Sequence, residues 1–199
     1  YHDQAVGDID GDGELEILIA SQQSGVVAYY DIPADPRQAP WPRACCHIVA
    51  EDMGNVEGLA IADVDGDGQA EIIAGPNIFH RSGAGWQRQH FGADFSKTRV
   101  AVADLDDDGK VEIVLSEGES DPGRLAICRP PNWEPEILLD DLFHPHSLDI
   151  ADLNYDGLPD IFVAEMGLGK NDDPRMMVLL NQGEGSFVPQ VFQRGVPVH

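Results

Sequence analysis

Asp63, Asp65, Asp67 and Glu71 crowd into "DVDGDGQAE", with Gly68 directly after the third aspartate. Like charges a few ångströms apart repel by about 1 kcal/mol per pair even in bulk water, so this turn calls for a cation among its side chains. Carboxylates at positions 1, 3 and 5 with glycine at 6 suit a tight loop whose oxygens converge on a hard ion, which favours calcium over zinc.

The pattern recurs three more times. Asp8, Asp10, Asp12, Gly13 and Glu16 form a copy, as do Asp104, Asp106, Asp108, Gly109 and Glu112; Asp152, Asn154, Asp156, Gly157 and Asp160 form the last. Asp and Gly are good turn formers, and a solvated turn would explain one such loop. It does not explain four with the acidic residues in one phase. A helical calcium-loop motif would need an acidic ligand at position 12, where this chain has Ile19, Ala74, Leu115 and Val163. Those apolar residues belong to strands.

The loops must be held by elements on either side. Ala5 to Val6 and Leu15 to Ala20 flank the first, Leu59 to Ala62 and Ala70 to Ala74 the second, Val100 to Ala103 and Val111 to Leu115 the third, and Leu148 to Ala151 and Ile161 to Ala164 the fourth. These runs are short, rich in β-branched residues and bounded by Gly, Asp and Pro, which predicts strands. Their near-continuous hydrophobicity predicts burial on both faces. A third strand is expected over Val26 to Ile32, Asn77 to Arg81, Arg124 to Cys128 and Arg175 to Leu180. A fourth is expected to start at Trp41, Trp86, Trp133 and Phe187, with the tryptophans as core residues. Loop-to-loop spacings of 55, 41 and 48 residues have the length of a propeller blade.

The chain is therefore predicted to be all-β, a β-propeller segment of four-stranded blades. Four blades are expected, over residues 1–50, 51–94, 95–142 and 143–199, as part of a larger ring of about seven whose other blades lie elsewhere in the full-length chain. No run reaches membrane-spanning length. The net charge of −24 disfavours nucleic acid and anionic membranes as partners. Positions 1, 3, 5 and 9 of the four loops hold 15 of the 36 acidic residues, so bound divalent ions would offset part of that charge. Three cysteines, with Cys45 and Cys46 adjacent, do not make a disulfide framework.

At this point the sequence resembles the FG-GAP or VCBS-type repeats, the calcium-loop blades of integrin α-subunit propellers and of many secreted bacterial proteins. "DIDGDGELEI", "DVDGDGQAEI", "DLDDDGKVEI" and "DLNYDGLPDI" carry the resemblance. It implies about four structural Ca²⁺ ions, each held by side chains at positions 1, 3, 5 and 9. It also implies a backbone oxygen at position 7, from Glu14, Gln69, Lys110 and Leu158. Asn154 removes one charge from the last loop, which should bind more weakly, and Asp107, between two ligands of the third, should point to solvent. Such loops work best at millimolar calcium, so a secreted or periplasmic location is expected.

Function is expected at the opposite end of the strands. That end gathers His2 and Asp3, Asn55 and Glu57, Lys97 and Arg99, and His144 and His146 before the first strands. Gln22, Gln23, Asn77, His80, Glu117, Glu119, Glu165 and Lys170 follow the second strands. Such a mouth suits a carbohydrate or protein ligand. "FHPHSLDIADLNYDGLPDIFVAEMG" is similar to part of propeller-fold carbohydrate-active proteins, including polysaccharide lyases and sugar dehydratases, which would make His146, His2, Arg99 and Glu165 catalytic candidates. No GxSxG motif, zinc-type Cys/His cluster or phosphate loop is present. A recognition module, a sugar-cleaving enzyme and a purely structural array remain as readings.

Overall fold

A computed structural model describes residues 3–83, 85–92 and 94–196. Among them, four antiparallel sheets of four strands follow one another along the chain, each a simple meander. The first contains β1 (Asp3–Gly7), β2 (Glu16–Ser21), β3 (Val26–Asp31) and β4 (Cys46–Ala50); the second β5 (Leu59–Ala62), β6 (Glu71–Ala74), β7 (Asn77–Ser82) and β8 (Gly85–His90). The third contains β9 (Thr98–Ala103), β10 (Glu112–Glu117), β11 (Gly123–Cys128) and β12 (Pro135–Leu142); the fourth β13 (Pro145–Ala151), β14 (Asp160–Glu165), β15 (Arg175–Asn181) and β16 (Phe187–Arg194). This is the all-β, blade-like architecture that the strand pattern predicts.

The second strand of each sheet is apolar on both faces because each face meets a different neighbour. In β6, Ile72 and Ala74 enter the core shared with the first sheet, with Leu18, Val27 and Tyr29, whereas Ile73 enters the core shared with the third, with Ile113, Leu115 and Trp133. In β10 the alternation continues: Val114 faces the fourth sheet, among Ile161, Val163 and Met177. Period-2 side-chain alternation thus assigns successive residues of one strand to successive interfaces.

Position 2 of each acidic loop follows the same logic. Ile9, Val64 and Leu105 are buried, each in the core between its own sheet and the next. Leu153, their counterpart in the fourth sheet, is 45% exposed.

The outer strands correct two expected boundaries. Trp41 does not start a strand: a 3₁₀ turn at Arg43–Cys45 intervenes and β4 begins at Cys46. Trp133 lies two residues before β12 with φ of 58°, fully inside the second core, while Trp86 packs half-buried on the first. Trp41 instead donates its Nε1–H to the carbonyl of Pro36. The three cysteines are free; Cys128 is buried, which pushes its thiol up to about 12.

Two glycines set how closely the inner strands approach. A Cβ on Gly58 would lie 2.4 Å from the backbone nitrogen of Val100, so the second and third sheets meet there main chain to main chain. On Gly123 a Cβ would lie 2.6 Å from Pro145.

Candidate metal loops and the opposite cleft

All four acidic loops close with one hydrogen-bond scheme. The position-1 aspartate caps the turn, accepting from the N–H of Gly13 (3.0 Å), Gly68 (2.9 Å), Gly109 (2.9 Å) or Gly157 (3.0 Å) through Oδ2 of Asp8, Asp63, Asp104 or Asp152. Those glycines have φ between 82° and 91°, a left-handed conformation that side chains oppose. The position-5 aspartate accepts from the N–H of position 7: Glu14 and Gln69 at 2.8 Å, Lys110 and Leu158 at 2.9 Å.

The position-9 carboxylate reaches back under the loop to the N–H of position 2. Glu16 meets Ile9 at 2.7 Å, Glu71 meets Val64 at 3.0 Å, Glu112 meets Leu105 at 2.7 Å, and Asp160 meets Leu153 at 3.0 Å. Each is buried at the end of a core strand. Burial raises the pKa values of Glu16, Glu71 and Glu112; the backbone N–H bond partly offsets this, and the loop aspartates push them further up.

Charged oxygens consequently converge. Ligand atoms of Asp8, Asp10 and Glu16 lie within 4.8 Å of one another, as do those of Asp63, Asp65 and Asp67, and of Asp104, Asp106 and Asp108. Asp106 Oδ1 is buried with no hydrogen-bond partner. An all-oxygen donor set with an orphaned carboxylate oxygen fits a hard divalent cation.

The loops differ in local cations. His80 approaches Asp65 (3.4 Å) and Glu71 (3.7 Å), and Lys110 Nζ is 3.0 Å from Asp108. His80 therefore sits at the loop end and not at the opposite mouth. The turn between β6 and β7 is so short that the chain has already run back by that residue. In the fourth loop both oxygens of Asp160 accept backbone N–H groups, Leu153 through Oδ2 and Asn181 (2.8 Å) through Oδ1. Asp107 is exposed and has φ of 60°; Tyr155 at the same loop position has φ of 63°.

A family model of the FG-GAP-like repeat matches residues 8–74, from the first loop aspartate through the strand after the second. This segment is similar to the FG-GAP-like repeat. Over 77 residues the chain is 34% identical to cartilage acidic protein 1 of Homo sapiens and 31% identical to that of Xenopus tropicalis. Each alignment covers 34% of this chain and 11% of the relative. The two loops inside the FG-GAP-like match share their hydrogen-bonding scheme with the third and fourth loops outside it.

At the other end of the strands, Arg99 joins three sheets. Its NH1 donates to the carbonyl of Glu57 (2.5 Å), its Nε to the carbonyl of His146 (2.8 Å), and its NH2 lies 3.5 Å from His146 Nδ1. A cleft of about 430 Å³ opens beside them, lined by Asp3, Arg99, His146, Asp149 and Phe162 among others. Asp3 also accepts from the N–H of Leu59 at 2.8 Å.

Of the four catalytic candidates, the structure brings Arg99 and His146 together. His2 lies outside the described residues. Glu165 is committed elsewhere: it pairs with Arg175 at 2.6 Å and accepts from the N–H of Phe143 and of Arg175. Arg175 also donates to the carbonyl of Asp141 in the preceding sheet, and Arg124 repeats the device between Glu117 and the carbonyl of Asp94. Those two clamps escape sequence reading because each glutamate and its arginine are separated by a turn of different length.

Sequence reading also places Glu57 only among rim residues, although it lies six residues before Asp63, the same offset at which His146 precedes Asp152. Glu57 is fully buried, and its carboxyl is pushed up to about 7 by burial and by the neighbouring charge of Glu119, with Arg99 and Lys97 opposing.

Proposed function

We propose that this chain is a calcium-stabilised extracellular module of β-propeller type. Its acidic loops each bind one Ca²⁺, and the cleft at the opposite end recognises a carbohydrate or protein ligand. The single observation behind this reading is the shared loop scheme. In four sequence-separated places backbone N–H groups hold the position-1, position-5 and position-9 carboxylates in the same arrangement, and in the first three loops acidic oxygens come within 4.8 Å of one another. Asp8, Asp10, Asp12, Glu16 and the carbonyl of Glu14 would hold the first ion, and Asp63, Asp65, Asp67, Glu71 and the carbonyl of Gln69 the second. Asp104, Asp106, Asp108, Glu112 and the carbonyl of Lys110 would hold the third; Asp152, Asn154, Asp156, Asp160 and the carbonyl of Leu158 the fourth.

The ion supplies positive charge at the point where the carboxylates repel. The chain supplies the rest: glycine at position 6 to turn the loop, and a buried position-9 carboxylate to anchor it to the core strand. A ligand that binds only the folded state adds about 2.7 kcal/mol at a hundredfold excess over its Kd. Native mass spectrometry of chelator-stripped protein titrated with Ca²⁺ tests the reading. Up to four ions per chain are expected, the last binding weakest, with Glu71→Gln removing one and melting temperature rising with calcium. Mass and melting unchanged by calcium would reject it.

A second reading, that the cleft acts on sugar chains, is favoured by one contact: Arg99 beside His146 at the cleft wall. An imidazole next to a guanidinium could take a proton from an acidic sugar whose carboxylate the arginine binds. Loss of polysaccharide turnover in His146→Ala, with calcium stoichiometry kept, would select it over recognition alone.

A further inference from the structure

We propose that Glu57, Glu119 and His146 form a metal site of a different kind, for a divalent transition ion such as Zn²⁺, at the end of the sheets remote from the acidic loops. The inference is independent of calcium binding. One ligand atom from each residue lies within 4.8 Å of the other two. The three come from different parts of the array: Glu57 from the segment before the second sheet, Glu119 from the turn after β10, and His146 from β13.

Glu57 carries the argument. Its side chain is fully buried; Oε1 accepts from Gln22 Nε2 at 2.6 Å, while Oε2 is buried and no protein donor reaches it. A buried carboxylate oxygen left without a donor is costly, about 1–3 kcal/mol or more for a charged group. Across from it stands the carboxyl of Glu119. Two carboxylate oxygens facing each other are both acceptors, so only a proton or a cation can lie between them. A proton bridges two atoms, whereas here a third donor, an imidazole nitrogen, converges on the same point.

Two carboxylates and one histidine match the donor set of zinc and similar ions; at the loop end His80 brings an imidazole to Asp65 and Glu71 of the second loop, which is why His80→Ala serves as the control. Three protein ligands leave a fourth position for water or a bound molecule. His146 belongs both to this cluster and to the wall of the 430 Å³ cleft, which gives that position access to the solvent side.

The surroundings hold the donors in place before any ion arrives. Arg99 turns its N–H groups to the main-chain oxygens of Glu57 and His146, fixing the backbone of two of the three ligands. Gly118 leaves room for the imidazole, since a Cβ there would lie 3.3 Å from His146 Cδ2. Lys97, 2.8 Å from Glu119 Oε2 and 37% exposed, is the competing cation, and the incoming metal displaces it toward solvent. Any proton held by Glu57 leaves to solvent as well.

Zinc chloride titrated by calorimetry into the calcium-saturated protein, near pH ~7.5, tests the site, with metal content measured after dialysis. One Zn²⁺ per chain is expected beyond the calcium complement. Glu57→Gln and His146→Ala should each weaken it about tenfold or more. Lys97→Ala, with circular dichroism to check the fold, should tighten it by freeing Glu119. His80→Ala, at the loop end, should retain it. With Co²⁺ in place of zinc, the visible absorption should change in His146→Ala while circular dichroism reports an intact fold. If no zinc binds, or if Glu57→Gln and His146→Ala both bind it as the parent does, the carboxyls merely share a proton and the proposal is overturned.

Discussion

Asn181, at the end of β15, donates its side-chain amide to the carbonyl oxygen of Leu105 at 2.8 Å, so the fourth sheet grips the third sheet's acidic loop from behind. The same amide reaches the carbonyl of Pro159 at 3.0 Å, and its own Oδ1 accepts from the N–H of Gly183. One buried side chain thus ties two neighbouring loops to a single strand end.

Asn181→Ala would remove the side-chain partner of two carbonyls and one N–H, the Leu105 carbonyl in a buried setting and the other two in a partly buried one. A loss of about 2–4 kcal/mol is expected from urea unfolding in saturating calcium. Asn181→Asp should be worse, because a carboxylate would face two carbonyl oxygens beside Asp160. A change below about 0.5 kcal/mol for both variants would show that the inter-sheet bond is dispensable.

The left-handed residues between ligands offer the opposite effect. Tyr155 is 92% exposed with φ of 63°, and no packing rewards its side chain. The first two loops place Gly11 and Gly66 there, with φ of 77° and 78°. Tyr155→Gly should therefore stabilise the folded chain by about 1 kcal/mol, less the entropy that glycine adds to the unfolded state. Paired thermal melts of parent and variant read the sign directly.

Glu57 gives the metal-free protein a pH signature. Its folded pKa of about 7 lies above the ordinary carboxyl value of 4.5. A raised value means that the folded state prefers the protonated acid. The contribution is fully present below about pH 4.5 and is lost as pH rises through about 7, up to about 3 kcal/mol in all. Glu57→Gln, neutral at every pH, should match the parent near pH 5 and exceed it above pH 7 when both are held in chelator. Parallel stability curves across that range would show that Glu57 does not titrate in this window.

The loops and the strands that carry them were legible because both signals are local. Ligand spacing sits within nine residues, and two-sided burial shows as consecutive apolar residues, as at Ile113, Val114 and Leu115 in the middle of β10, where every residue is buried. The outer strands were less legible: they are the exposed edge of each sheet, and an aromatic residue marks their start only where the preceding turn is short. Trp41 fails for that reason. His80 was misplaced because strand direction reverses at Gly75 and Pro76, and residue order alone does not reveal how soon. The cluster of Glu57, Glu119 and His146 joins residues far apart in sequence, so it becomes visible only once neighbouring sheets are docked.

Gly58 bears on how that cluster endures. Because the second and third sheets touch there through bare main chain, their closest approach at that point is set by peptide atoms and not by a side chain. The joint behaves like a seam with no filler: nothing stands between the two backbones, and even the smallest added methyl at that one position would wedge the two blades apart.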